Sequence, residues 1–312
     1  MELRTLRYFV AVAQELNITR AAEKLNMSQP PLSIQIRQLE QELGVSLFVR
    51  GKRNLRLTEE GSLLLRRASQ ILDLTDKTCQ ELASQKEEMA GTIYLGMVEG
   101  RAPYLSAQWI RTFQAQYPLV RYSLWNGSGD EVLERLHKGL ADLAVIAAPY
   151  DNEHLEGFTV GREPWVAILP KAHPLAQRKE TYIPLPLLVG QPLIVPTRKS
   201  RVEAIHTWFG TIGAQPDILC EMSNYVDAVA LAEQGVGISI FPQTTCTPNR
   251  LITAKVITQP PRHAEYVLVW NRGQQLSRLS QAFIHHVQAW LETQPQDPLP
   301  TGSDFGEESR LL

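Results

Sequence analysis

The sequence predicts an α/β protein with a small helical module at its N-terminus, and three observations carry that expectation. Over residues 1–57, short helical periods and one hairpin pattern hold nine Arg and Lys against five Glu, a local charge of +4 in a 312-residue chain whose formal total is −2. A helical period without an interior proline follows from Thr58 to about Glu88. From Gly91 the texture changes to apolar runs alternating with helical stretches, the pattern of an α/β body with mostly parallel strands. With 44% hydrophobic and 21% charged residues the chain can build packed cores, which excludes globally disordered and fibrous classes. Two domains, or three, are expected, because single cores rarely grow beyond about 250–300 residues.

Taken in order, residues 3–14 read as a helix, with Leu6, Phe9, Val10 and Ala13 on one apolar stripe. Thr19 is placed to cap a short helix over Arg20–Leu25. Ser28 is placed to cap a third helix running to about Leu43, with Pro30 and Pro31 confined to the first turn and Gly44 ending it. Two short helices joined by a tight turn, with Ala21-Ala22 allowing close approach, form a helix-turn-helix pattern. At 100° per residue Leu32, Ile36, Leu39 and Leu43 fall on the buried side of the third helix. Pro30, Ser33, Ile34, Arg37 and Gln41 face the other way, a surface suited to a DNA major groove or to plain solvent. Ser46–Arg50 and Leu55–Leu57 flank Gly51-Lys52-Arg53-Asn54 and read as a hairpin with a cationic tip, a wing whose Lys52 and Arg53 would meet phosphates.

The helix from Thr58 to Glu88 would span roughly 46 Å. Leu64, Ala68, Ile71, Thr75, Thr78 and Leu82 step by three and four along it as a seam for a second subunit, or for the chain's own core. Beyond it, strands are expected at 93–98, 120–125, 143–147, 165–169, 193–195, 218–222, 237–241 and 266–270. Helices are expected near 103–116, 129–139, 200–212, 225–234 and 275–292. The proline-rich, polar stretch 294–312 is expected to be a disordered tail.

Several functions find no support. Charges among Met1–Arg7 do not suit a secretory signal, no apolar run approaches the roughly 20 residues that cross a bilayer, and a cytosolic protein without a membrane partner is expected. Cys79, Cys220 and Cys246 match neither a disulfide framework nor a zinc pattern, so no metal or cofactor is expected. No GxSxG, P-loop, GxGxxG or HExxH pattern occurs, which argues against an enzyme.

The stretch Ala21–Glu40 (AAEKLNMSQPPLSIQIRQLE), followed by Glu42–Arg50 (ELGVSLFVR) and Leu57–Gly61 (LTEEG), resembles the DNA-binding module of LysR-type transcriptional regulators. The resemblance extends more loosely through His173–Ala176 (HPLA) and Gly235–Pro242 (GVGISIFP), covering about residues 1–293. It implies a winged helix-turn-helix over 1–57, a linker and dimerisation helix over 58–90, and an effector domain over 91–293 with a periplasmic-binding-protein-like fold. Subdomain I would comprise 92–161 and 266–293, and subdomain II 165–262. The resemblance further implies a homodimer or homotetramer on double-stranded promoter DNA, acting with RNA polymerase. Carried over by position, Gln29, Pro30, Ser33 and Arg37 would read the groove and Arg50, Lys52 and Arg53 would form the wing. Ile34 departs from the family's usual long polar side chain and could meet a thymine methyl instead.

In open α/β sheets ligands gather at the carboxyl ends of strands. That rule selects the loops at 99–101, 126–128, 197–200 and 223–224, and within them Gly100, Arg101, Ser128, Thr197, Arg198 and Ser200 as effector-binding candidates. Ser200 would start a helix whose N-terminus holds a carboxylate, or would simply cap it. Arg101, Arg198, Lys199 and Arg201 point to a small anionic effector. A redox switch is the rival reading, since a peroxide-sensing branch of the family uses a cysteine pair, but 197–212 contains no cysteine.

Overall fold

A computed structural model describes residues 1–50, 55–83, 89–245 and 249–293. The chain divides into two compact units, Met1–Gly91 and Thr92 onward.

The first unit holds helices α1 (Leu3–Glu15), α2 (Ile18–Lys24) and α3 (Gln29–Leu43), strands β1 (Phe48–Arg50) and β2 (Leu55–Leu57), and helix α4 (Glu59–Ala83). Leu6, Phe9, Val12, Ala21, Ala22, Leu32, Ile36, Leu39 and Leu47 close over one core. Two capping expectations are corrected. Asn17, not Thr19, caps α2, its carbonyl oxygen accepting from the N–H groups of Thr19 and Arg20 at 2.9 and 3.1 Å. Ser28 does sit at the N-cap of α3 in extended geometry, but its hydroxyl makes no capping bond. Leu43, the last residue of α3 before Gly44 (φ 69°), is 38% exposed rather than buried.

Three residues of the LysR-like stretch tie the wing to the helices. The Glu40 carboxylate accepts the backbone N–H of Leu47 at 2.8 Å and of Phe48 at 3.2 Å. Thr58 donates to the Ser46 carbonyl and accepts from Gly61 N–H, capping α4. A Cβ on Gly61 would lie 2.1 Å from the Leu47 carbonyl oxygen, so only glycine lets α4 start there. The hairpin pairs Phe48 with Leu57 and Arg50 with Leu55.

The seam on α4 is also corrected. Ala68 is fully buried in the module's own core, Leu64 and Leu72 pack against it, and Arg7 of α1 pairs with Asp76 at 2.7 Å. Ile71 of the expected seam is exposed, and the apolar side chains exposed with it are Leu63 and Leu74. Thr75 and Thr78 return their hydroxyls to helix carbonyls four residues back, each at 2.8 Å. Residues 84–88 and the tail 294–312 lie outside the described residues.

The second unit contains β3 (Gly91–Val98), α5 (Ala102–Gln116), β4 (Val120–Gly127), α6 (Gly129–His137), β5 (Leu143–Ala147), β6 (Leu155–Pro170), β7 (Tyr182–Pro184), β8 (Pro192–Pro196), α7 (Lys199–Gly210), β9 (Asp217–Met222), α8 (Tyr225–Glu233), β10 (Ile238–Pro242), β11 (Ile252–Thr258), β12 (His263–Asn271) and α9 (Arg278–Thr293). The strand order is β4-β3-β5-β12-β6-β10-β8-β9, with β11 and β7 attached through β6. Strand β6 belongs to both halves: up to Pro164 it pairs with β12, and from Trp165 it pairs with β10 and β11. The chain therefore passes between the halves along β6 and returns at the start of β12.

The expectation of mostly parallel strands holds within each half apart from these crossing strands. Pairs β3–β5, β10–β8, β8–β9 and β11–β7 are parallel, whereas β6 and β12 run antiparallel to each other and to their other neighbours. Sequence reading saw only the apolar end of β6, because Glu156–Pro164 has no apolar run; β7 is only three residues long and ends in proline, and Lys255 interrupts the apolar pattern of β11. Gly157 lets β12 approach, since a Cβ there would lie 2.4 Å from the Leu268 carbonyl oxygen.

Candidate nucleic-acid interface and effector cleft

On the first unit, Leu32, Ile36 and Leu39 anchor α3 in the core and fix the opposite face outward. Gln29, Pro30, Ile34 and Arg37 are exposed there, and Ser33 is half-buried. Arg37 forms no ion pair or side-chain hydrogen bond with the described residues, so its fork of donors is available to a base edge or phosphate. Ile34 stands 52% exposed on the same face. Arg50 has its backbone in β1, while its side chain, like Lys52 and Arg53, lies outside the described residues. Arg56 is exposed on β2 opposite Val49.

In the second unit, the loops after β3, β4, β8 and β9 lead into α5, α6, α7 and α8. Contacts between the halves gather at these loops. Arg198, the N-cap residue of α7, reaches Asp130 in the first turn of α6 at 3.1 Å. Gly129 makes room for it, since a Cβ would sit 2.6 Å from the Arg198 guanidinium. Glu99 after β3 accepts the backbone N–H of Tyr225 in the first turn of α8; burial holds its pKa above the usual carboxylate value, that bond opposes the rise, and Asp227 adds to it.

Ser128 is engaged in a capping box, its hydroxyl donating to Glu131 at 2.7 Å and capping α6. Thr197 donates to Glu221 at 3.3 Å. Ser200 is not the N-cap of α7, as its hydroxyl pattern suggested; that place falls to Arg198, whose guanidinium carries only donors, cannot accept the helix N–H groups and crosses to Asp130. Gly100 has φ +91°, a conformation that glycine adopts without strain. Arg101 donates from its guanidinium to the Arg162 carbonyl at 2.8 Å, and its backbone N–H reaches the Tyr266 hydroxyl at 3.3 Å.

Tyr266 in turn donates to Glu163, a carboxylate only 2% exposed that also accepts the Thr244 N–H at 2.6 Å and the Thr244 hydroxyl. This network, with Glu163 on β6 and Tyr266 on β12, fills the crossing point with satisfied polar groups. Beside it Arg201 lies 5.9 Å from the Trp165 ring centre. Burial pulls the Arg201 pKa down, with Tyr266 opposing the shift and Arg198 and Arg262 reinforcing it. Arg201 has no carboxylate partner among the described residues. Asp130, Glu163 and Tyr266 escaped sequence reading because their roles depend on strands and loops far apart in the chain. Cys79 and Cys220 are free thiols, and Cys246 lies outside the described residues.

A winged helix-turn-helix on a chain whose second unit is a two-halved α/β body of this strand order defines a DNA-binding transcriptional regulator with an effector-binding domain. Residues 3–62 match the bacterial regulatory helix-turn-helix protein, lysR family, and residues 86–292 match the LysR substrate binding domain. The chain belongs to the LysR family of transcriptional regulators, which are not enzymes. It is 30% identical over 289 residues to the HTH-type transcriptional regulator AlsR of Bacillus subtilis (strain 168), covering 91% of this chain and 95% of that one. It is 32% identical over 292 residues to BsdA of the same organism, covering 91% and 99%. CbnR, a LysR family transcriptional regulator of known crystal structure, shares the fold with a TM-score of 0.74 at 23% identity, covering 93% of this chain and 99% of that chain. No helix among the described residues is long and apolar enough to cross a membrane.

Proposed function

We propose that this chain binds promoter DNA sequence-specifically, in the cytosol and as a homodimer or homotetramer, and controls RNA polymerase in response to a small anionic effector. Residues 1–57 form the DNA-binding module, 58–90 the dimerisation helix and 91–293 the effector domain. The observation that carries this reading is the outward face of α3, where Gln29, Pro30, Ile34 and the unpaired Arg37 stand over a fully buried Leu32-Ile36-Leu39 stripe. Arg50, Lys52 and Arg53 add phosphate contacts beside the groove. CbnR, which shares this fold, has been crystallised in full length with its target DNA, which supports DNA as the partner.

For the effector, Arg201 supplies a largely desolvated guanidinium with no carboxylate partner among the described residues, and the start of α7, with Arg198 at its N-cap and Ser200 in its first turn, supplies backbone N–H donors. Gly100, Arg101, Ser128 and Thr197 frame the same loops. Binding there shifts the equilibrium between assembly shapes and so the bend imposed on DNA.

The test is binding, across a salt series, to the intergenic duplex beside the protein's own gene and to a shuffled duplex of equal length. Tighter binding to the first, with a steep salt slope, is expected. Equal affinity for both at every salt concentration overturns the groove assignment.

A further inference from the structure

A cavity of about 440 Å³ opens at the carboxyl ends of β3 and β4 against the first turns of α5 and α8. Its chemistry is opposite to that of the arginine cluster around Arg201. Met97, Leu124 and Val226 give it an apolar floor and rim, Tyr104, Trp125 and Tyr225 add three aromatic rings, and no Lys or Arg is among its lining residues. The one charged group lining it is Glu99.

Glu99 is half-buried, and its bond from Tyr225 N–H leaves further lone pairs to accept donors. Asp227, in the first turn of α8, adds negative potential at the same place. An anionic ligand there would face the Glu99 carboxylate, with Asp227 behind it and no lining cation. A carboxylate among aromatic rings is instead the surrounding that holds an ammonium group, through a charge-assisted hydrogen bond and cation–π attraction. Trp125 already receives Arg135 at 4.9 Å from its ring centre, and among the described residues no cation stacks on Tyr104 or Tyr225.

We infer that this cavity is a second ligand subsite of the effector domain, one that takes the ammonium group of a small amine with an aromatic or apolar body. Glu99 anchors the ammonium, and Tyr104, Trp125 and Tyr225 surround the rest. The volume matches a small ligand, within the roughly 300–1,000 Å³ usual for such sites. The cavity shares Gly100 and the loops after β3 and β4 with the effector site proposed above, so the inference rests on that reading and adds to it an ammonium subsite that does not depend on Arg201.

The test is calorimetric titration of the full-length chain with 2-phenylethylammonium, with 2-phenylethanol and 3-phenylpropanoate as neutral and anionic counterparts. The amine is expected to bind saturably and at least about tenfold tighter than the alcohol. Glu99→Gln, which keeps an acceptor for Tyr225 N–H, is expected to remove that preference while leaving the thermal unfolding midpoint of the free chain in place. Tyr104→Ala, at a side chain 62% exposed and so tolerant of change, is expected to weaken the amine several-fold and keeps the test open should Glu99→Gln misfold. Amine binding that is absent, that matches the alcohol, or that is unchanged in both variants overturns the inference. Tighter binding of 3-phenylpropanoate that displaces the amine also overturns it, by making the cavity part of an anion site. Failure of 3-phenylpropanoate to bind, with the amine preference intact, counts against the anionic effector and supports the amine subsite.

Discussion

Arg37 and Arg201 are both arginines without a carboxylate partner among the described residues, and burial separates their uses. Arg37 is exposed on a helix face and free to read DNA; Arg37→Ala is expected to lose about 1–3 kcal/mol on the specific duplex and little on a shuffled one, a difference a competition binding assay reads directly. Arg201 is mostly desolvated beside Trp165, so its charge is a standing cost that an anionic ligand relieves. Gly61 shows the steric limit at this scale. Gly61→Ala places a methyl 2.1 Å from the Leu47 carbonyl oxygen and is expected to cost about 1–3 kcal/mol in a denaturant titration; an unchanged midpoint would mean that α4 can start elsewhere. Gln29, Pro30, Ser33 and Arg37 were legible because a helix face follows from spacing alone. Glu40 was not, since its acceptors' partners, Leu47 and Phe48 N–H, meet it only after the chain has turned at Gly44.

Elements that bury one face were predictable, and those whose identity comes from a partner were not. Helix α4 illustrates both. Its period was readable, yet which side is spoken for depended on α1, which takes Ala68, Leu64 and Leu72 and leaves Leu63, Ile71 and Leu74 outward. Those outward residues are the proposed subunit contact. Leu74→Glu is therefore expected to lower the oligomer mass in sedimentation equilibrium without unfolding the module, and an unchanged mass would move the interface off this helix. Strands β6 and β12 depend on each other in the same way. Glu265 on β12 accepts from Thr159 and, at 3.3 Å, from Arg162, both on β6. The Thr159 hydroxyl first, and then Arg162, hold its carboxyl below the usual Glu value against the opposing effect of burial. With the native pKa lowered, this contribution is complete above the unfolded value and is lost as pH falls through the native one. Glu265→Gln is expected to flatten the acid limb of the stability curve; an unaltered limb would show that the carboxylate is not held by these partners.

At the scale of the whole effector unit, its halves are joined covalently only through the crossings at β6 and the start of β12, and the contacts between Asp130 and Arg198 and between Glu99 and Tyr225 set how they face each other. Asp130 is largely exposed, so its pair with Arg198 contributes no more than about 1 kcal/mol to stability. Because the pair joins the two halves, under the proposed effector response its effect lies in how they close on a ligand. Asp130→Asn is expected to leave the unfolding midpoint nearly unchanged while shifting the effector concentration for half-maximal response in a DNA-binding assay; no shift would show that this pair does not report closure. Glu163, Tyr266 and Thr244 do the opposite work, filling the crossing with satisfied hydrogen bonds that keep it from yielding.

The sequence alone determined the charged N-terminal module, the outward face of its third helix, the turn at Gly44 and the α/β character of the body, because helix and strand periods and glycine's conformational range act over a few neighbouring residues. Only the tertiary structure decided which side of α4 is free, that β6 serves both halves, and that Glu99 and Asp130 reach across to α8 and α7. Those outcomes depend on which distant backbone or charge fills the space beside a residue, and no local period encodes that.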